Sequence, residues 1–81
     1  MLNMENLTIQ DLIDEYEISE GLQIESEELI MEVHPSEYYL GGEEGGYTTD
    51  DNRYFSTLEG AIQYIIKSMG GIENIIRYEE A

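Results

Sequence analysis

Apolar residues recur at helical spacing near the start of the chain. Ile9, Leu12, Ile13 and Tyr16 share one stripe, and the spacing predicts a helix over 8–17. Thr8 is placed to cap it, with Asp11 three positions on as a partial capping box. Gly21, after Ser19 and Glu20, is suited to the residue following its end. From there the period drops to two. Leu22 and Ile24 alternate with Gln23 and Glu25, and Leu29, Met31 and Val33 alternate with Glu28, Ile30, Glu32 and His34. This predicts two short strands around a Ser26-Glu27 turn, or one bulged strand, with Pro35 stopping the ladder. Tyr38-Tyr39-Leu40 is a third short strand candidate. After the glycine-rich stretch 41–46, Tyr47-Thr48-Thr49 is placed to return antiparallel to it. Asp50-Asp51-Asn52 reads as a turn and Arg53-Tyr54-Phe55 as a short extended piece.

The strongest local signal follows. Ser56-Thr57-Leu58-Glu59 has the form of a capping box. Leu58, Ala61, Ile62, Ile65, Ile66 and Met69 then make a broad apolar face closed by Gly70-Gly71, which predicts a core helix over 57–69. Ile72, Ile75 and Ile76 with Arg77 suggest a short C-terminal helix. The expected fold is α+β: an N-terminal helix, a small antiparallel sheet of about three strands, the core helix and the short final helix.

Composition sharpens the picture. Eighty-one residues and 9.3 kDa allow a single domain, 1–81. With 41% hydrophobic residues and seven Tyr, the chain is too apolar for an acidic disordered tail. Absence of cysteine removes disulfides, Cys-ligated zinc and thiol catalysis. No apolar run reaches the ~18 residues of a membrane span, and the expected location is the cytoplasm. Charge is the most informative quantity: 19 acidic against 3 basic residues give a net charge of -16. Residues 1–52 hold fifteen acids and no Lys or Arg. Residues 53–81 hold Glu59, Glu73, Glu79 and Glu80 with all three bases, Arg53, Lys67 and Arg77. This sign opposes direct nucleic-acid binding and an anionic membrane surface. Solubility or a halophilic source would also favour acids, though a halophile would spread them more evenly.

Catalytic and metal chemistry find little footing. His34 is the only histidine and sits beside Pro35 at a strand end, where a structural or solvent-facing role is expected. Among nineteen acids some pair always lies at a glycosidase-like separation, so such a pair carries no information. A calcium loop with Gly at its sixth and Glu at its twelfth position is missing. The glycines of 41–46 lack the Lys-Ser/Thr of a phosphate cradle. No catalytic residue, metal site or cofactor is expected.

The remaining signal is a protein-binding surface aimed at a basic groove. The acids proposed for it are Asp11, Asp14 and Glu15 on the first helix, Glu25, Glu27 and Glu28 near the first turn, and Glu43, Glu44, Asp50 and Asp51 around the glycine-rich loop. Tyr38, Tyr39 and Tyr47 are candidate desolvated anchors. Acids at i and i+3 or i+4 on a helix stand ~5–6 Å apart, and alternate strand positions ~6.6 Å apart. Both roughly resemble neighbouring phosphates of a nucleic-acid backbone.

In size, charge, base-free segment 1–52 and α+β element order, the chain resembles the small acidic, mostly phage-encoded inhibitors of nucleic-acid enzymes: anti-CRISPR proteins, antirestriction proteins and uracil-DNA glycosylase inhibitors. The 54–61 junction, Tyr-Phe-Ser-Thr-Leu-Glu-Gly-Ala, is similar to one in small phage proteins. The resemblance implies a stoichiometric inhibitor that blocks a positively charged channel. CRISPR effectors are the favoured target because they hold a heteroduplex channel and a PAM-reading cleft; a restriction enzyme or a DNA repair glycosylase is also open. The competing expectations are an acidic adaptor or regulator working through a tyrosine-rich sheet, and a small calcium-binding module.

Overall fold

The computed structural model describes residues 6–36 and 46–80. Helix α1 spans Ile9–Ser19, strand β1 Leu22–Ser26, β2 Ile30–Pro35, β3 Tyr47–Thr49, β4 Tyr54–Phe55 and helix α2 Leu58–Ser68. A 3₁₀ turn, Ile72–Asn74, leads into β5, Ile75–Glu79. The strands form one antiparallel sheet in the order β4-β3-β2-β1-β5. The α+β class therefore stands, with a sheet of five strands where about three were expected.

Alternation along β1 and β2 sends Leu22, Ile24, Met31 and Val33 to one face. There they meet Leu12 and Tyr16 of α1 and Ala61, Ile62 and Ile65 of α2 in one core, with Met69 and Ile75 closing its end. Both helices thus cover the same sheet face. The other face carries Gln23, Glu25, Ile30, Glu32 and His34.

Two elements differ from the sequence reading. The C-terminal segment is no helix. Gly70 and Gly71 adopt φ of 87° and 134°, the 3₁₀ turn absorbs Ile72, and the chain then pairs with the outer edge of β1. Ile75 and Ile76 are β-branched and suit a strand, and docking on β1 satisfies backbone groups that would otherwise be left bare. The second difference is the cap of α2. Thr57, not Ser56, accepts the hydrogen bond, from the Gly60 N–H at 3.1 Å. Glu59 is then one residue too early for the reciprocal bond of a capping box. At α1 the box forms in full. Asp11 N–H donates to Thr8 Oγ1 at 3.3 Å, and Thr8 N–H donates to Asp11 Oδ2 at 2.9 Å. Its left-handed C-terminal residue is Glu20 (φ 55°) rather than Gly21. The strand expected at Tyr38-Tyr39-Leu40 lies outside the described residues; β3 pairs with β2 and β4 instead.

Candidate acidic interaction surface

The amphipathic register that buries Leu12 and Tyr16 turns Asp11, Asp14 and Glu17 to solvent, with Glu15 half-buried beside them. Asp14 accepts from the Gln10 amide at 2.8 Å, and Asp11 serves the helix cap. The field of this row reaches the sheet. The Tyr78 hydroxyl has its pKa raised by burial first and then by the charges of Asp11 and Glu15. On the same helix Ile18 is 80% exposed, the most exposed of the large apolar side chains described.

A second acidic group forms at one end of the sheet. β1 and β3 both run antiparallel to β2, so the turns that follow them emerge at the same end. The first turn is tied by Ser26 N–H to the Leu29 carbonyl at 2.8 Å and by Leu29 N–H to Ser26 Oγ at 3.2 Å, leaving Glu27 and Glu28 exposed. These two carboxylates flank an open depression of about 350 Å³, completed by Met69, Glu73 and Ile76. The second turn carries Asp50 and Asp51. Asp51 accepts from the Thr49 and Tyr64 hydroxyls and pairs with Arg53 at 3.7 Å. Those two hydroxyl bonds, the Thr49 one foremost, lower its pKa. Asp51 is thus occupied in holding the turn to α2, while the Asp50 side chain is exposed.

Other candidates fall differently. Glu25 lies on the helix-free face and accepts from Arg77 at 2.9 Å, so its charge is matched. Tyr47 stacks edge-on against Tyr16, ring centroids 5.6 Å apart, and belongs to the core margin. Tyr38, Tyr39, Glu43 and Glu44 lie outside the described residues. Two of the three bases are matched to acids. Arg53 is held between Asp51 and the Tyr64 ring, 5.2 Å from its centroid, and Arg77 by Glu25.

Two participants escaped the sequence reading. Glu73 belongs to the C-terminal third, and only the fold brings it to the β1–β2 turn; nothing linear signals this. Ile18 was legible as an apolar residue off the Ile9–Leu12–Tyr16 stripe. Among the described residues no group of three or more acidic, His or Cys side chains has the geometry to hold a metal ion. No described helix is long and apolar enough to cross a membrane. No protein-family model matches this chain, and neither does any curated protein or solved structure.

Proposed function

We propose that this protein is a stoichiometric, non-catalytic inhibitor that occupies the positively charged nucleic-acid groove of a partner protein, a CRISPR effector being the favoured target. One observation carries the reading. Exposed carboxylates line α1 and gather at the end of the sheet, while Arg53 and Arg77 are each engaged by an acid. Most of the described carboxylates are thus left unpaired and solvent-facing on a chain of net charge -16. Helical acids ~5–6 Å apart and paired turns give a surface that a phosphate-binding groove accepts in place of a nucleic-acid backbone. Each exposed pair contributes under ~1 kcal/mol, so affinity comes from many weak contacts and from fast, steered encounter.

The adaptor reading has a specific observation in its favour: Ile18, Ile30 and Ile76 are exposed at 80%, 52% and 49%, as anchors of an apolar interface would be. Salt separates the two. A charge mimic loses affinity for a purified CRISPR effector steeply as NaCl rises, and guide-matched duplex DNA competes with it. Salt-independent binding with DNA still bound to the effector rejects the mimic and favours the adaptor. If no effector binds, recovery of a restriction enzyme or a repair glycosylase from a bacterial lysate redirects the target and leaves the mimicry intact.

A further inference from the structure

The sheet ends on one side at β5, and no described strand pairs with its outer edge. Such an edge offers alternate N–H and C=O groups to any extended chain. Proteins commonly block it with an unpaired Lys or Arg, but the only base of β5, Arg77, is drawn onto Glu25 of the neighbouring strand. What the edge presents is acidic, from Glu73 before it to Glu79 and Glu80 at its far end.

A bulge adds a second feature. Ser26 faces Ile75 and Glu25 faces Arg77, leaving Ile76 as the extra residue. Released from the ladder, Ile76 lines the depression flanked by Glu27, Glu28 and Glu73. Beyond the bulge, Arg77–Glu79 keep regular register with β1. Among the described residues the outer ladder of β5 thus stays open beside a mainly polar, acid-rimmed depression in which Ile76 and Met69 are the apolar members.

We propose that the β5 edge takes up an extended, lysine- or arginine-rich segment of a partner protein as an added strand. An apolar residue of that segment seats on Ile76, and its basic residues face Glu27, Glu28, Glu73 and Glu79. Charge selects this occupant over a second copy of the chain, whose β5 would bring the same acids against these. The inference deepens the function proposed above and rests on it only for the sign of the partner's charge.

The test uses the full chain, uniformly ¹⁵N-labelled, and a nine-residue peptide alternating lysine and valine. Binding shifts the amides of 75–80 and slows hydrogen exchange of the alternate ones that point to the outer edge by about tenfold or more. The same peptide N-methylated at alternate residues keeps every charge but cannot pair, and binds at least about tenfold more weakly. Ile76→Lys, at a half-exposed position, leaves the fold intact and weakens the parent peptide similarly. The proposal is overturned by equal affinity of the two peptides, by shifts confined to α1, or by no binding. It is equally overturned by β5 protection that grows with protein concentration without peptide, the mark of self-pairing. None of these outcomes bears on the salt and DNA-competition assays, which judge the acidic mimic separately.

Discussion

Tyr16 shows how much one buried atom matters in a core this small. The ring is 5% exposed, and its hydroxyl has no hydrogen-bond partner among the described residues. An orphaned buried hydroxyl costs roughly 1–3 kcal/mol, so Tyr16→Phe is expected to stabilise the domain by about 1 kcal/mol in urea unfolding. Burial foremost, with Tyr47 and Glu20 nearby, pushes the Tyr16 pKa up to about 12 from 10.0. A raised pKa means that the unfolded chain loses this proton first. The group's contribution is complete below pH 10 and is lost as pH rises towards 12. Tyr16→Phe should therefore flatten the alkaline decline, leaving the share of Tyr78. Asp51 has the opposite sign. Its pKa is lowered, so its contribution is present above the ordinary carboxylate range and disappears as pH falls through the lowered value. Tyr64→Phe removes one of its donors and should cost under about 1 kcal/mol at this exposed site, with the loss vanishing in acid. The sequence made Asp51 one free acid among many; its partner Tyr64, thirteen residues on, was out of reach of any local pattern.

At the scale of elements, the helices and the β1–β2 hairpin were legible because their signals are local. Ile9, Leu12 and Tyr16 set one period, and Leu22 to Val33 the other. The end of the chain was not. Ile72, Ile75 and Ile76 fit a helical face, and only the bare edge of β1 decides for a strand. Substitution separates the two arrangements, because a helix would bury Ile75 and Ile76 together whereas the bulged strand buries Ile75 (3% exposed) and releases Ile76 (49%). Ile75→Ala is expected to cost about 2–4 kcal/mol, and Ile76→Ala under about 0.5 kcal/mol, both read from denaturant midpoints. The α2 cap is decided in the same way. Thr57→Ala should cost about 1 kcal/mol, while Ser56→Ala, one residue outside the cap, should change little.

Over the whole molecule the acids oppose folding, since like charges are confined within a Cα radius of gyration of 12.4 Å. That acids would dominate the surface was plain from the sequence; which of them meet was not, because Glu73 joins Glu27 and Glu28 only through the return of β5. The self-repulsion separates a functional charge from an incidental one. α1 has no basic residue in its last turn, although a cation there would favour the helix dipole by about 0.3–1 kcal/mol. Glu17 is exposed at that end. Glu17→Lys should therefore relieve repulsion, complement the dipole and raise Tm by about 2–4 °C, taking ~0.5 kcal/mol at ~4–8 °C per kcal/mol for a domain of this size. Moderate NaCl should reduce that gain by screening the charges. If α1 enters a basic groove, the more stable variant binds its partner less well, and the salt dependence of binding becomes shallower. A gain in Tm with unchanged affinity would mean that the acids of α1 serve solubility and that the groove is met by the Glu27–Glu28 end alone.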